Sequence, residues 1–170
     1  AMAAGIPYYG CDANVRMRKS YEDLIELARQ AGAEPEVRMT FQPSETILDY
    51  RKDIAGGKRY DLVFTSPPYF TLEKYEGMPD YEGKKGFLTE FLKPVVERTW
   101  AGLENGGYMA LNMPEFMYAA VKADLPPLWG RRKLSVASRH GTNAARRLKI
   151  GETKREAKRR FEWIYIWRKI

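Results

Sequence analysis

Strand-like and helix-like segments alternate along the 170 residues, and this alternation limits the possible folds more than any other feature of the sequence. Segment 61–65 contains an unbroken apolar run, which is typical of a strand buried on both faces. Segment 15–31 instead carries apolar side chains at the spacing of an amphipathic helix, at Tyr21, Leu24, Ile25 and Ala28. Strands that alternate with helices predict an α/β layer fold with a mostly parallel sheet.

The remaining elements follow from the same periodicities and from turn residues. The predicted strands are 7–12, 36–41, 61–65, 108–113, 134–138 and 161–167. The predicted helices are 15–31, 44–54, 86–103 with a kink at Pro94, and 115–122. No linker long enough to divide the chain is found, so residues 1–170 are predicted to form a single domain.

The composition is that of a folded protein with few residues for metal or disulfide chemistry. Hydrophobic residues make up 44% of the chain, which argues against disorder. Cys11 and His140 are single residues of their types, so neither a disulfide framework nor a Cys- or His-rich metal site is expected. No apolar run approaches the roughly 20 residues that span a bilayer. We therefore expect a soluble, cytoplasmic protein with no membrane segment.

Positive charge is concentrated in segment 139–160. The whole chain has a formal net charge of +7, and this segment alone holds nine basic and two acidic residues. A neutral domain with one basic segment is typical of nucleic-acid-binding proteins, although a solvated, salt-bridged helix gives the same pattern. The residues predicted to contact nucleic acid are Arg139, Arg146, Arg147, Lys149, Lys154 and Arg155.

The most specific motif is Ser66-Pro67-Pro68-Tyr69, which directly follows strand 61–65. In open α/β sheets, ligands bind beyond the carboxyl ends of the strands. The prolines have a fixed φ and donate no N–H, so this turn would hold a hydroxyl, backbone carbonyls and an aromatic ring in fixed positions. A stiff turn without function is the alternative. No acid, base or metal ligand accompanies the motif in the sequence, which argues against hydrolysis.

These groups suit a reaction at an amino group conjugated to a ring. The lone pair of such an amine is delocalised, and two acceptors that hold its hydrogens can direct the lone pair at an electrophile. Ser66 and the Pro67 carbonyl would be those acceptors. The exocyclic amine of a nucleic-acid base is such a group, and Tyr69 would stack on the ring of that base and hold it in the site.

The motif resembles the catalytic motif of S-adenosylmethionine-dependent DNA amino-methyltransferases, which act on cytosine N4 or adenine N6. The serine is similar to the cytosine-N4 branch. Segments 8–14, 103–112 and 162–169 resemble other parts of this family in the same order. The resemblance implies a Rossmann-like three-layer α/β sandwich with an antiparallel last strand. It also implies the catalytic residues Ser66, Pro67, Pro68 and Tyr69.

The same resemblance implies S-adenosylmethionine as the cofactor. Asp12 follows the first strand, where the acidic residue of the family binds the ribose hydroxyls, and an N-capping role is the alternative. Gln42 and Ser44 lie where the family contacts the cofactor adenine. Thr65, at the end of the third strand, completes the expected cofactor-binding residues.

One part of the family pattern is not found. The family's first strand and its glycine-rich turn, which hold the methionine part of the cofactor, would precede residue 1, and no Gly-x-Gly pattern occurs elsewhere. That strand lies between those equivalent to 7–12 and 61–65. We therefore expect an N-terminally incomplete methyltransferase-like domain. The alternatives are direct pairing of these two strands, a homodimer, or a partner chain that supplies the cofactor loop.

The predicted function is transfer of a methyl group from S-adenosylmethionine to an exocyclic amino group of a DNA base, with cytosine N4 favoured. Adenine N6 and RNA remain open as substrates. A nucleic-acid-binding or scaffold protein that keeps the fold but transfers no methyl group also remains open. Segment 71–86 is either a lid over the target base, with contacts from Tyr75 or Tyr81, or an ordinary surface loop.

Overall fold

The computed structural model describes residues 4–34, 36–70, 76–136 and 160–170. The strands are β1 (Tyr8–Cys11), β2 (Val37–Thr40), β3 (Tyr60–Thr65), β4 (Leu103–Asn112), β5 (Gly130–Val136) and β6 (Arg160–Arg168). The α-helices are α1 (Arg18–Gln30), α2 (Tyr50–Asp53), α3 (Gly83–Gly86), α4 (Lys93–Gly102) and α5 (Glu115–Val121). Two 3-10 turns, Val15–Met17 and Ser44–Thr46, and a π-helical segment, Phe87–Leu92, complete the described elements.

The described strands form two separate sheets. β1 and β2 form a parallel pair, and the other four strands form a sheet in the order β3-β4-β6-β5. β3 and β4 are parallel, whereas β6 runs antiparallel to both of its neighbours. All described strands except β6 run parallel to their neighbours or, as β5 does, in the direction of β3 and β4, so the predicted antiparallel last strand is confirmed. Direct pairing of β1 with β3 does not occur.

The core lies between the four-stranded sheet and the helices from α3 to α5. Phe87 and Phe91 stack in the π-helical segment with their ring centroids 5.1 Å apart. On the sheet side, Tyr165 and Trp167 of β6 are fully buried. Tyr165 stacks on Tyr118 of α5 at 4.3 Å. The aromatic alternation of the last strand therefore serves packing on one face of the sheet.

The prediction that strand 61–65 is buried on both faces is wrong. Val63 packs against the core, but Leu62 and Phe64 are 64% and 65% exposed. β3 is the end strand of its sheet, and its Leu62 and Phe64 side chains point away from the helical layer because side chains alternate along a strand. No described element covers that face of β3.

Several strand boundaries also differ from the predicted ones. β4 begins at Leu103 rather than 108, and its register against β3 shifts between Tyr60 and Leu62. Gly107 lies inside this irregular stretch, where an added Cβ would come within 2.8 Å of the Asp61 carbonyl oxygen. β5 begins at Gly130 rather than 134, and residues 137–138 lie outside the described residues.

The helical predictions hold best for long amphipathic segments. α1 and the 3-10 turn before it cover most of the predicted helix 15–31. The predicted helix 86–103 is observed as α3, the π-helical segment and α4, and Pro94 lies at the junction of the last two, where the helical hydrogen-bond pattern changes. The predicted helix 44–54 is interrupted, because Ile47 is extended (φ −81°, ψ 120°) and Asp49 caps α2 separately.

The segment between β2 and β3 attaches the small sheet to the core. Ile47 is 1% exposed and belongs to the main hydrophobic cluster, as does Tyr50. Arg98 of α4 donates to the backbone carbonyls of Glu45 and Ile47, the latter at 2.9 Å. Tyr50 donates to the Ser44 carbonyl at 2.9 Å. Side-chain packing and these hydrogen bonds join the two sheets.

We predict that Ile47→Ala lowers the free energy of unfolding by about 2–4 kcal/mol, because it leaves a cavity in the core. The matched control is Leu48→Ala, since Leu48 is 78% exposed and its truncation should change stability by less than about 0.5 kcal/mol. Urea unfolding followed by circular dichroism measures both. Equal midpoints for the two variants would contradict the packing of this segment.

Candidate functional site

The Ser-Pro-Pro-Tyr motif lies at the sheet edge where three strands of the larger sheet meet. β3 ends at Thr65, opposite Leu111 of β4, and the motif continues from there. Asn112 is the last residue of β4. β6 is antiparallel, so its first residues reach the same edge. This topology brings Glu162 to the motif, although about 90 residues separate them in the sequence.

A chain of hydrogen bonds runs from the serine to a carboxylate. Ser66 Oγ lies 3.2 Å from the Tyr69 hydroxyl and donates to it. The Tyr69 hydroxyl lies 3.4 Å from both the Asn112 backbone carbonyl and Glu162 Oε2. Asn112 Nδ2 donates to the same Glu162 oxygen at 2.8 Å. Since Ser66 directs its single hydrogen at Tyr69, the lone pairs of its oxygen are left to accept from a ligand.

The residues of this hydrogen-bond chain become more buried from Ser66 toward Asn112. Ser66 is exposed, Tyr69 is half-buried and Pro67 is buried. Asn112 is 9% exposed, and its Oδ1 is buried without a hydrogen-bond partner among the described residues. Buried polar atoms nearly always have a partner in native proteins. Asn112 Oδ1 is closed off from solvent, so the exposed Ser66 oxygen is the acceptor that a ligand can reach.

The motif is followed by a strained residue that fixes its exit. Phe70 has φ = 55°, in the left-handed region that side chains other than glycine rarely adopt. Its ring packs on Phe87 with 5.5 Å between centroids. Strain of this kind persists only where the surrounding packing maintains it. Phe87 is fully buried, so the core holds the backbone directly after Tyr69 in place.

Asp12 lies just beyond β1 and makes two hydrogen bonds within the chain. Its Oδ1 accepts from the backbone N–H of Asn14 at 2.9 Å, and its Oδ2 accepts from the Tyr21 hydroxyl at 3.3 Å. Burial and the nearby Asp12 carboxylate raise the pKa of Tyr21 to about 12. Asp12 therefore orders the turn after β1. Each carboxylate oxygen can accept a second hydrogen bond, so a ligand hydroxyl fits here as well.

Gln42 and Ser44 lie beyond β2, close to the end of β1. The Cys11 thiol donates to the Gln42 carbonyl at 3.0 Å, and the Ser44 carbonyl accepts from Tyr50. The structure thus brings Asp12 and Gln42 together at the end of the small sheet. It places Thr65 on the larger sheet with Ser66. No described strand lies between β1 and β3, and no described residue forms a glycine-rich turn beside these acceptors.

Part of segment 71–86 lies against the turns after β1 and β2. At Gly77 the backbone is so close to Ala13 that an added Cβ would come within 2.5 Å of the Ala13 carbonyl oxygen. Arg16 pairs with Glu76 at 3.1 Å, and the Tyr81 hydroxyl donates to Glu45. The Tyr81 ring packs on Phe87 and Phe91, so it is part of the core rather than a free contact. Tyr75 lies outside the described residues.

The predicted nucleic-acid contacts lie outside the described residues. This applies to Arg139, Arg146, Arg147, Lys149, Lys154 and Arg155. Within residues 4–34, 36–70, 76–136 and 160–170, no group of three or more metal-ligating side chains comes together. No helix in the same ranges is long and apolar enough to cross a membrane.

Sequence reasoning missed Asn112 and Glu162. Both are polar residues near strand ends that reach the motif edge. Their position near strand ends was the one sequence signal for these two residues. It predicts a contact only when the strand order is known, because the β4–β6 register decides which residues meet. The statement that no acid accompanies the motif is corrected by Glu162.

Comparison with known proteins supports the fold. No protein-family model matches the sequence, and no curated protein matches it. The structure is similar to TrmN from Thermus thermophilus, with a TM-score of 0.52 and 17% identity over 96% of this chain and 36% of that one. An rRNA methylase from Streptococcus thermophilus gives a TM-score of 0.48 and 12% identity over 96% of this chain and 73% of the methylase.

The likeness to TrmN shows the fold. The chain has an α/β, Rossmann-like fold, as predicted. It spans about a third of the length of TrmN. At these identities the likeness concerns the fold, and the activity is a separate question.

We predict that the Cys11 thiol reacts slowly with a disulfide reagent in the folded protein. Burial raises its pKa to about 11, so at pH 8 its thiolate fraction is about tenfold or more below that of an unperturbed thiol. The measurement compares labelling rates in buffer and in denaturing urea, where Cys11 should react at the ordinary rate. Equal rates would show that the end of β1 is open to reagent rather than packed against Gln42.

Proposed function

We propose that this chain carries the catalytic residues of an S-adenosylmethionine-dependent methyltransferase that modifies an exocyclic amino group of a nucleic-acid base. The observation that carries the proposal is the exposed Ser66 at the carboxyl end of β3, with its hydrogen directed at Tyr69 and its lone pairs available. A hydroxyl arranged in this way accepts from an amine. It is not activated as a nucleophile, because no base takes its proton directly.

In the proposed mechanism, Ser66 Oγ and the Pro67 carbonyl accept the two hydrogens of the target amine. This arrangement localises the nitrogen lone pair and directs it at the methyl donor. Tyr69 stacks on the base, with its hydroxyl held by Glu162 and Asn112. Pro67 and Pro68 keep the backbone between them rigid, so the acceptors are in place before the base arrives.

The cofactor would supply an electrophilic methyl group on a sulfonium, and the residues beyond β1 and β2 fit its nucleoside part. Asp12 offers carboxylate oxygens with free lone pairs for ribose hydroxyls. Gln42 and Ser44 lie where adenine contacts are expected, and Thr65 lies across on β3. The described residues offer no equivalent for the methionine part. We therefore propose that a further parallel strand beside the unpaired edge of β3 completes this side, and a second copy or a partner chain is one source of it.

The substrate is proposed to be DNA, with cytosine N4 favoured because the first residue of the motif is serine. RNA offers the same amino groups and is the second candidate. The basic segment 139–160 would bind phosphates of either nucleic acid. The exposed apolar residues on β3 favour one competing function, a scaffold or nucleic-acid-binding protein that uses the fold for assembly rather than for methyl transfer.

We predict that S-adenosylmethionine binds saturably and that Asp12→Asn weakens binding about tenfold or more, since one charge-assisted hydrogen bond contributes about 1.5–3 kcal/mol. Asparagine keeps an acceptor for the Asn14 N–H, so the turn after β1 stays folded. Calorimetry measures binding. Asp49→Asn, at the cap of α2, is the matched control. If the folded chain binds only with an added partner polypeptide, the cofactor site is shared. If no form binds, the enzyme proposal fails.

We predict that Ser66→Ala and Tyr69→Ala each reduce methyl transfer by about 100-fold or more, because both remove groups that hold the target amine. The assay measures transfer of radiolabelled methyl groups to DNA and RNA oligonucleotides by the form that binds cofactor. Ser20→Ala, at an exposed position of α1, is the matched control. Unchanged transfer in folded Ser66→Ala would overturn the assigned role.

We predict that oligonucleotide affinity falls steeply with salt concentration. Neutralising Arg146, Arg147 and Lys149 should make the slope of log affinity against log salt concentration less steep. Each phosphate contact contributes about 0.7–0.9 to that slope. Fluorescence anisotropy at several salt concentrations measures it. A triple substitution to Gln that leaves the slope unchanged would contradict a role for segment 139–160 in phosphate binding.

A further inference from the structure

The proposed function uses the carboxylate behind the catalytic motif only to hold the Tyr69 hydroxyl. Glu162 lies on β6, accepts from Asn112 Nδ2 at 2.8 Å and lies 3.4 Å from the Tyr69 hydroxyl. Tyr69 in turn accepts from Ser66 at 3.2 Å. The hydroxyl groups of Ser66 and Tyr69 therefore connect the expected position of the target amine with a carboxylate about two side chains away.

We propose that Glu162 is the final proton acceptor of the methyl-transfer reaction, and that Ser66 and Tyr69 carry the proton to it. This inference rests on the proposed function. It adds a catalytic role that the Ser-Pro-Pro-Tyr motif does not contain. It also assigns Asn112 as the positioning residue that holds the carboxylate.

The proton balance of the reaction requires such an acceptor. The amine uses its lone pair to form the new N–C bond, and the bond between the methyl carbon and sulfur breaks with its electron pair going to sulfur. The nitrogen is then cationic and carries one proton too many. That proton moves to Ser66 Oγ while the serine hydrogen moves to the Tyr69 oxygen and the tyrosine hydrogen moves to Glu162 Oε2. The products are a neutral methylated amine and a neutral Glu162.

The hydrogen-bond directions already match this path. Ser66 donates to Tyr69, and Tyr69 can donate to Glu162. A carboxylate only accepts, so the Asn112 amide must turn its NH₂ toward Glu162, which leaves Oδ1 on the opposite side. The 3.4 Å separations are long for hydroxyl hydrogen bonds. Catalytic hydrogen bonds in a ligand-free site commonly shorten when substrate binds.

The competing explanation is a purely structural role, in which Glu162 only holds the Tyr69 ring in place. The chain contains a matched pair that allows the comparison. Glu115 of α5 accepts from the Tyr165 hydroxyl at 2.6 Å, and it also joins a tyrosine to a neighbouring element. Tyr165 is fully buried in the core, and neither it nor Glu115 is one of the groups on the hydrogen-bond path from Ser66 to Glu162. Glu115→Gln therefore removes the same chemistry at a position outside the proposed relay.

The experiment compares Glu162→Gln with Glu115→Gln in the form of the protein that binds S-adenosylmethionine. We expect Glu162→Gln to lower kcat about 100-fold, the lower end of the range for general-base catalysis. KM for the oligonucleotide, and its affinity measured without cofactor, should change less than about twofold because glutamine retains an acceptor. Glu115→Gln should leave all three quantities near wild type. Equal kcat values for the two variants would overturn the proposal.

Chemical rescue separates proton acceptance from positioning. Glu162→Ala leaves space for a small carboxylate, and we expect acetate to restore more activity than fluoroacetate, which is similar in size but less basic. Rescue that does not depend on basicity would indicate a structural role and would overturn the proposal. We expect Tyr69→Phe to lose activity without rescue, and its effect should not add to that of Glu162→Gln, because both break one path.

The outcomes distinguish this inference from the function on which it rests. If wild type transfers methyl groups and Ser66→Ala abolishes transfer while Glu162→Gln does not reduce it, only the role of Glu162 fails. If no cofactor-binding form of wild type methylates DNA or RNA, the proposed function fails and the role of Glu162 fails with it. Loss of kcat with basicity-dependent rescue supports both.

Discussion

The insertion of Ile47 and Tyr50 into the main core is the interaction on which the arrangement of the whole molecule depends. β1 and β2 share no strand pair with the four-stranded sheet in the described residues. Their position relative to β3 is set by these two side chains, by the hydrogen bonds from Arg98 to the carbonyls of Glu45 and Ile47, and by Tyr81, which joins Glu45 to the core. In a continuous parallel sheet, backbone hydrogen bonds would fix that position instead. Here the distance between Asp12 and Ser66 depends on side-chain packing.

This dependence connects the exposed face of β3 with the cofactor side of the proposed site. Leu62 and Phe64 expose apolar surface next to an unpaired strand edge, a combination that natural sheets usually cover. A strand added at this edge would pair with the open backbone of β3 and would also support the turns after β1 and β2. Cofactor binding and assembly are therefore expected to be coupled, because the same surface would serve both.

The sequence allowed the local features to be predicted and left the long-range ones open. The 3.6-residue periodicity of α1 and the position of the motif after β3 depend on neighbouring residues, so both could be read directly. The interruption of helix 44–54 could not, because Ile47 leaves the helix to enter a core built from distant residues. The pairing of Asn112 with Glu162 was also beyond reach, since it depends on the β4–β6 register. Burial of segment 61–65 was mispredicted because an apolar run does not reveal whether a second layer covers it.

The serine at the first position of the motif explains why a carboxylate outside the motif, Glu162, would be needed. An aspartate in place of Ser66 would accept the amine hydrogens and could keep the departing proton on its own oxygen. A serine hydroxyl is neutral and cannot retain an added proton at physiological pH, so it can only pass one on. Its own hydrogen already points at Tyr69, and beyond the tyrosine lies Glu162. A serine at this position and a carboxylate on β6 would therefore function as one unit, in which hydrogen bonding to the amine and removal of its proton are divided between two strands.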